Sequence, residues 1–218
     1  MIFQDKDRIV FAGDSVTDMN KTHPLGEGGG MGACLGDGYV HMIYDMLAGE
    51  YPERRIRITN AGISGNTSAQ LLERWERDVL DLKPDWVSIF IGINDVLNRF
   101  VFPERAEIQV SHEEYSENLE KMIQALDGRT KGIFILSPYT AEPNTADPIR
   151  KEMDCYREMT KSIAERHACI YVDIQEMFDE YFTHRHQATV AWDRVHPNRV
   201  GAYLIAKAFL KKCGFEYK

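Results

Sequence analysis

The chain contains 218 residues, of which 44% are hydrophobic and 28% are charged, and its formal net charge is −8. This length and hydrophobic content are typical of one globular domain with a sizeable core, so we expect a single domain over residues 1–218. The acidic balance argues against a nucleic-acid groove or an anionic membrane surface as partner, because both require clustered lysine and arginine, and it favours a neutral substrate.

The start of the chain, Met1–Arg8, is charged and lacks the long apolar run of a signal peptide. No uninterrupted apolar run approaches the ~20 residues that a membrane helix needs, so we expect no membrane partner. The four cysteines are widely spaced and form no C-x-x-C pair. They are interpreted as reduced thiols of a cytoplasmic protein. The alternative is a secreted mature protein from which a leader has been removed.

Five short runs rich in Ile, Val, Phe and Tyr predict strands that are buried on both faces. They are Arg8–Ala12, Ile56–Asn60, Trp86–Ile91, Gly132–Ser137 and Cys169–Asp173. Between them, apolar residues recur at steps of three and four, which is typical of amphipathic helices. One such pattern extends from Leu71 to Leu82, a second follows Pro148, and a last helix is predicted from about Asn198 to Lys212. Strands that alternate with helices predict an α/β fold with a parallel sheet and helices on both faces.

Polar clusters with glycine directly follow the first three predicted strands. They are Gly13-Asp14-Ser15, Gly62-Ile63-Ser64-Gly65-Asn66 and Gly92-Ile93-Asn94-Asp95. Ligands of parallel sheets bind outside the carboxyl ends of the strands, so all three clusters should lie at one edge of the sheet. The loop at residues 22–38 contains seven glycines, so we expect it to be mobile or tightly turned, but it is too short to separate domains.

Near the other end of the chain, Asp193-Arg194-Val195-His196-Pro197 places a carboxylate and an imidazole three residues apart. The Asp can reach back to the Nδ1–H of the His and fix its tautomer while Nε2 faces a nucleophile. We therefore predict a triad of Ser15, His196 and Asp193, which requires these distant segments to meet. The alternative is three unrelated residues: a turn serine that caps a helix, a helix-flanking histidine, and an Asp that caps the last helix.

An acyl-transfer site also needs hydrogen-bond donors for the developing oxyanion. Gly65 can offer its backbone N–H where a side chain would obstruct the substrate, and Asn94 can offer its side-chain amide. The backbone N–H of Ser15 is a third donor. Gly65 and Asn94 are alternatively ordinary turn residues that follow strands. Convergence of the three donors on one serine is the interpretation we prefer.

These blocks resemble those of the SGNH (GDSL-type) hydrolases, a family of esterases and lipases. The similar segments are Gly13-Asp14-Ser15, with Val16 where the family usually has Leu, then Gly65, Gly92-x-Asn94-Asp95 and Asp193-x-x-His196. The resemblance implies Ser15 as nucleophile, His196 as base and Asp193 as its partner, with Gly65 and Asn94 in the oxyanion hole. It also implies a three-layer α/β/α, flavodoxin-like fold with a five-stranded parallel sheet.

Longer stretches are similar to the intracellular bacterial acetylxylan esterases of this family, and the similarity extends from about Asp7 to Phe215. The stretches are Tyr51-Pro52-Glu53, Gly62–Thr67, Lys83–Ile89 and Ala191–Pro197. The resemblance implies removal of acetyl groups from xylan-derived oligosaccharides, often by a homo-oligomer. The Gly28–Gly38 loop is unusually rich in glycine for the family.

Other signals are discounted. Ser64 lies in a glycine cluster, but its neighbours suit a turn. His184-x-His186 could ligate a metal, but no nearby Cys or second carboxylate pair completes a set, so we expect no metal and no cofactor. The chain lacks the G-x-S-x-G elbow of the α/β-hydrolases, and its glycines do not have the spacing of a nucleotide-binding loop.

We predict a serine esterase that removes O-acetyl groups from xylan-derived oligosaccharides or related acetylated sugars through an acyl-enzyme. The first alternative is a short-chain lipid esterase, lysophospholipase or thioesterase with the same triad. The second is a catalytically silent carbohydrate-binding module. Trp192, beside Asp193, could stack on a sugar ring or could only pack the loop. Apolar residues at 100–102 could line the site or a subunit contact.

Overall fold

A computed structural model of the chain describes residues 1–29 and 34–217. The described strands form one sheet and are β1 (Arg8–Gly13), β2 (Gly26–Glu27), β3 (Arg57–Gly62), β4 (Trp86–Phe90), β5 (Gly132–Leu136) and β6 (Ile170–Val172). The strand order is β2-β3-β1-β4-β5-β6, and every neighbouring pair except β2 and β3 is parallel. Without β2, this order is that of a flavodoxin-like doubly wound sheet. The predicted α/β fold is confirmed.

Within residues 1–29 and 34–217 the sheet has six strands, so the expected count of five is wrong by one. The additional strand, β2, lies in the glycine-rich loop and pairs antiparallel with β3, with Gly26 opposite Asn60 and Glu27 opposite Thr59. Two residues that include a glycine carry no β-pattern, and the strand forms because β3 offers an open edge to pair with. Residues 30–33 of the same loop lie outside the described part of the chain.

Two groups of helices accompany the sheet. The described helices are α1 (Ser15–Asp18), α2 (Tyr39–Glu50), α3 (Ser68–Glu73), α4 (Trp75–Asp78), α5 (Ile93–Val101), α6 (His112–Gln124), α7 (Pro148–Arg166), α8 (Ile174–Phe182) and α9 (Arg199–Lys212). Helices α2 and α8 both pack against α9, while α6 packs against α3 and α7, and α7 also contacts α5. None of these helices is both long enough and apolar enough to cross a membrane.

The apolar pattern from Leu71 to Leu82 does not form one helix. It is divided into α3, α4 and a 3-10 turn at Leu80–Leu82. The first interruption is Arg74, with φ −104° and ψ 6°, and the second is Val79, with φ −128° and ψ −60°. Arg74 is buried and bonds to the ends of two strands, so contacts with the sheet accompany the break in local helical periodicity.

The core holds α9 against the sheet through aromatic contacts. The ring of Phe209 lies with its centroid 4.5 Å from that of Phe134 on β5, 5.2 Å from that of Phe11 on β1, and 6.3 Å from that of Phe3. All four side chains are fully buried. Because α9 begins three residues after His196, this packing also fixes the end of the chain that carries the predicted base.

The register of the sheet brings three strand ends to one level. Gly13, the last residue of β1, is paired with Gly62 at the end of β3 and with Phe90 at the end of β4. The polar clusters that follow these three strands therefore start from the same edge of the sheet.

Candidate active site

Ser15 lies at the junction between β1 and α1. Asp14 caps this short helix, and its Oδ1 accepts a hydrogen bond of 3.0 Å from the backbone N–H of Val16. The Ser15 side chain is half-buried, and its Oγ lies 2.9 Å from Nε2 of His196, although 181 positions separate the two residues in the chain. The structure thus brings the predicted nucleophile within hydrogen-bonding distance of the predicted base.

Asp193 holds His196 from the other side. Its Oδ2 lies 2.6 Å from Nδ1 of His196, and its Oδ1 accepts from the backbone N–H groups of Val195, at 3.0 Å, and His196, at 2.8 Å. Asp193 does not cap the last helix, because Asn198 accepts from the first amides of α9. The imidazole is therefore oriented with Nε2 toward Ser15.

The charge state of Asp193 suits this contact. Partial burial would raise its pKa, but the hydrogen bonds from the His196 ring and from the backbone N–H groups of His196 and Val195 outweigh that effect and lower the pKa. The group is then a carboxylate at neutral pH and can stabilise a protonated imidazole beside it.

The turn that carries Asp193 and His196 is fastened to the segment after β5. The carbonyl of Arg194 accepts from the backbone N–H of Ala141, at 2.8 Å, and from Oγ1 of Thr140, at 3.2 Å. The hydroxyl of Tyr139 donates to the carbonyl of Val195 at 2.5 Å. Sequence reasoning missed these supports, since residues 139–141 carry no motif and act through backbone oxygens more than 50 positions away.

Gly65 lies in the loop between β3 and α3 and has a φ of +83°, a conformation that side chains rarely adopt. A Cβ built on it would meet no atom within 4 Å among the described residues, so it would project into open space at the site. Both the backbone conformation and the space that a substrate needs therefore favour glycine here. The neighbouring Ser64 donates its N–H and its hydroxyl to Oδ2 of Asp18, at 3.0 and 2.9 Å.

Asn94 lies in the first turn of α5, behind Gly92. Its Nδ2 donates to the carbonyl of Asn66 at 3.0 Å. A carboxamide nitrogen carries two hydrogens, so the second remains for another acceptor. Asn94 and Gly65 line one cavity of about 380 Å³, whose other lining residues are Ser15, Met19, Asn20, Ser64 and His196. The structure therefore brings the predicted oxyanion residues together with the serine and the imidazole.

Two further carboxyl groups are buried behind this cavity. Burial raises the pKa of Asp14 to about 7, and its Oδ2 has no hydrogen-bond partner among the described residues. Burial also raises the pKa of Asp95 to about 6, although the N–H and hydroxyl of Ser68 donate to it and oppose the shift. These two side chains are buried because of their place at the edge of the sheet. The sequence shows only that they belong to the polar clusters and does not predict their burial.

Trp192 does not pack the loop beside the triad, because its side chain is 87% exposed. It is also absent from the residues that line the cavity. Phe100, Val101 and Phe102 are exposed at the end of α5 and do not line this cavity either. Among the described residues, no group of three or more His, Cys, Asp or Glu side chains is arranged to hold a metal ion.

The chain is similar to known proteins both in sequence and in structure. The profile of the GDSL-like Lipase/Acylhydrolase family matches residues 11–204. An acetylxylan esterase of Geobacillus stearothermophilus is 44% identical over 211 residues, which are 97% of this chain and 95% of that protein. The crystal structure of Axe2, an acetylxylan esterase of the same organism, superposes with a TM-score of 0.96 at 42% identity, covering 99% of this chain and 98% of that one. LAE5, an enzyme from the metagenome of Lake Arreo in Spain, has a TM-score of 0.95 at 42% identity, covering 98% of both chains.

Proposed function

The chain belongs to the GDSL-like Lipase/Acylhydrolase family, and on that basis we propose that it is a serine esterase that removes O-acetyl groups from xylan-derived oligosaccharides. The observation that carries the proposal is the continuous contact from Asp193 through His196 to Ser15, with bonds of 2.6 and 2.9 Å. The substrate class is supported by the 44% identity with an acetylxylan esterase over nearly the whole chain.

In the first half of the proposed reaction, Oγ of Ser15 attacks the carbonyl carbon of the acetyl group while Nε2 of His196 takes the hydroxyl proton. The backbone N–H groups of Ser15 and Gly65 and the side-chain amide of Asn94 donate to the resulting oxyanion. When the tetrahedral intermediate collapses, His196 gives its proton to the sugar oxygen, which leaves as an alcohol. The acetyl group then remains on Ser15.

In the second half, a water molecule loses its proton to His196 and attacks the acyl-enzyme. Collapse of the second intermediate returns the proton to Oγ of Ser15 and releases acetate. The Asp193 carboxylate stays ionised throughout and stabilises the imidazolium that forms twice in each cycle. This sequence of steps uses only groups of the chain and water.

Trp192 is proposed as a platform for a sugar ring of the substrate. Trp192 is 87% exposed and directly precedes the turn Asp193–His196, which leaves an aromatic face available beside the site. We expect Trp192→Ala to raise KM for acetylated xylo-oligosaccharides several-fold and to leave KM for p-nitrophenyl acetate unchanged, because the small ester has no sugar ring. Equal changes for both substrates would contradict this role.

We further propose a cytoplasmic location and self-association into a homo-oligomer. The cysteines at 34, 155, 169 and 213 are thiols, which suits a reducing compartment. The exposed apolar side chains of Phe100, Val101 and Phe102 offer a surface that a second copy could cover. Light scattering coupled to gel filtration tests the association, with a monomer mass of 25.1 kDa as the outcome against it.

The deciding experiment measures acetate release from acetylated xylo-oligosaccharides by the wild type and by Ser15→Ala, with circular dichroism to show that the variant is folded. Release by the wild type alone supports both the serine mechanism and the substrate class. Cleavage of p-nitrophenyl acetate that depends on Ser15, without release from the oligosaccharides, would keep the esterase and remove xylan as the target. Faster cleavage of long-chain p-nitrophenyl esters than of p-nitrophenyl acetate would favour a lipid esterase or thioesterase. Binding of saccharides without turnover would favour a carbohydrate-binding module.

A further inference from the structure

A buried arginine, Arg74, lies behind the site at the junction of α3 and α4, with only 7% of its surface exposed. Its Nη2 donates to the carbonyl of Gly13 at 2.9 Å, and its Nη1 donates to the carbonyl of Ala61 at 2.7 Å. Its Nε donates to Oδ1 of Asn66 at 2.7 Å. Nη1 also contacts Oδ2 of Asp78 at 3.1 Å, so the buried charge is compensated.

Three of the acceptors of Arg74 belong to two of the segments that form the site, which are the end of β1 and the end of β3 with the loop that follows it. Gly13 ends β1 and precedes the Asp14-Ser15 pair, and Ala61 lies next to the end of β3. Asn66 directly follows Gly65 in the oxyanion loop, by which we mean Ser64–Asn66. Because the guanidinium is planar and its N–H groups have fixed directions, this one group sets the spacing between the end of β1 and the β3 segment with its loop.

Asn66 extends this connection to a proposed oxyanion donor. Its side chain accepts from Arg74, and its backbone carbonyl accepts from the carboxamide of Asn94 at 3.0 Å. The bond to Asn94 leaves one carboxamide hydrogen for the cavity and fixes the plane in which it points. A shift of Asn66 would therefore turn the Asn94 amide as well as move the Gly65 backbone.

We propose that Arg74 is a positioning residue of the oxyanion hole, which holds the oxyanion loop against the end of β1 and orients the Asn94 amide through Asn66. The effect on kinetics that we expect from this role rests on the proposed esterase function. Oxyanion donors act on charge that exists only in the transition state, so their misplacement lowers kcat and leaves KM nearly unchanged.

The kinetic test compares Arg74→Lys, Asn66→Ala and the double variant with the wild type on p-nitrophenyl acetate. Lysine keeps the charge beside Asp78 but cannot bond to Gly13, Ala61 and Asn66 at once. For each single variant we expect kcat to fall by ~10–100-fold and KM to stay within about threefold of the wild type. The double variant should lie within about threefold of the worse single variant, because both changes break the same connection.

Arg157→Lys is the matched control. Arg157 also pairs with a carboxylate, that of Asp173 at 2.7 Å, but neither residue lines the cavity of the proposed site. We expect its kcat to stay within about twofold of the wild type. An equal loss of kcat in Arg157→Lys and Arg74→Lys would reduce the effect to general destabilisation and overturn the proposal.

A second measurement keeps the proposal testable without turnover. The side-chain NH₂ signals of Asn94, identified by their loss in Asn94→Ala, should shift and exchange faster with solvent in Arg74→Lys and in Asn66→Ala. Unchanged signals, or a folded Arg74→Lys with wild-type kcat, would overturn the proposal. If Arg74→Lys does not fold, Asn66→Ala alone decides. In that case, a kcat and Asn94 signals of Asn66→Ala that equal those of the wild type would overturn the proposal. If the wild type cleaves no ester, the proposed function fails, and the Asn94 signals still decide the role of Arg74.

Discussion

At the residue scale, the turn Asp193–His196 shows how few atoms orient the imidazole of the proposed base. Oδ1 of Asp193 accepts hydrogen bonds from two backbone N–H groups, and Oδ2 contacts Nδ1 of the imidazole. The ring is therefore held by a side chain that the backbone of the turn itself holds in place. This arrangement requires an Asp three positions before the His, which is why the spacing predicted the pair from sequence. The spacing also led us to expect that Nε2 faces Ser15, but only the folded structure brings these two residues together.

Asn94→Ala tests the side-chain donor to the oxyanion. The variant removes the amide and leaves the backbone of α5 in place, so we expect kcat on p-nitrophenyl acetate to fall by ~10²–10³-fold with little change in KM. Steady-state kinetics over a range of ester concentrations measure both constants. An unchanged kcat would remove Asn94 from the oxyanion hole.

Asp14→Asn tests the buried carboxyl group behind the serine. Burial raises the pKa of Asp14 to about 7 from its ordinary value of 3.8, so the folded protein holds a proton that the unfolded chain releases between these values. The contribution of this group to stability is therefore full below about pH 4 and is lost as the pH rises through 7. Asparagine stays neutral and keeps an acceptor for the Val16 N–H.

Relative to the wild type, Asp14→Asn should gain free energy of unfolding as the pH rises from 5 to 8. A shift of one pKa unit corresponds to ~1.4 kcal/mol, so the change is within reach of urea titrations at the two pH values. Asp45→Asn, on the exposed side of α2, is the matched surface control. A difference between variant and wild type that is the same at both pH values would contradict the raised pKa.

At the element scale, the close approach of β3 and α1 places the oxyanion loop. A Cβ on Gly62 would lie 2.4 Å from the backbone nitrogen of Asp18 and 2.8 Å from the carbonyl carbon of Thr17, so only glycine allows the two elements to pack at this distance. The same approach brings the Asp18 carboxylate to Ser64. The loop is thus held by Asp18 at one end and by Arg74 at the other.

Gly62→Ala should therefore destabilise the fold by ~1–3 kcal/mol, because backbone atoms must move apart. Urea unfolding followed by tryptophan fluorescence measures the loss. Gly49→Ala is the matched control, since Gly49 lies in α2 with no described atom within 4 Å of its added Cβ. Alanine there should stabilise by ~0.5–1 kcal/mol through its helix propensity. Equal effects of the two substitutions would contradict the packing argument.

At the scale of the whole molecule, the site exists only when the sheet and α9 are packed together. The proposed nucleophile follows the first strand and the proposed base precedes the last helix, and Phe209 of α9 joins these regions through Phe11 and Phe134. The resemblance to the SGNH hydrolases is confirmed by the family match over residues 11–204. Location and oligomeric state stay predictions.

Phe209→Ala should lower the free energy of unfolding by ~3–5 kcal/mol, since it leaves a cavity among fully buried rings. In urea, fluorescence and esterase activity should be lost at the same midpoint in both the variant and the wild type, because the proposed triad spans 181 positions of the chain. Activity that disappears at a much lower urea concentration than the fluorescence change would show that the site opens locally.

The sequence by itself determined the types of the elements and the edge of the sheet at which the candidate site residues lie. Apolar runs and hydrophobic periodicity are local properties of the sequence. They predicted the five parallel strands and their alternation with helices. The polar clusters at Ser15, Gly65 and Asn94 directly follow three of these strands in the sequence. The Asp193-x-x-His196 spacing is local as well, because both groups belong to one turn.

Only the tertiary structure decided the contacts between distant segments. The strand at Gly26–Glu27 forms because an edge of β3 is open, and the helical pattern after Leu71 breaks where Arg74 bonds to Gly13 and Ala61. The meeting of Ser15 with His196 is of the same kind. Each of these contacts depends on backbone oxygens or side chains that come together only when the sheet has formed. The periodicity of residues along the chain does not predict which distant segments will be in contact.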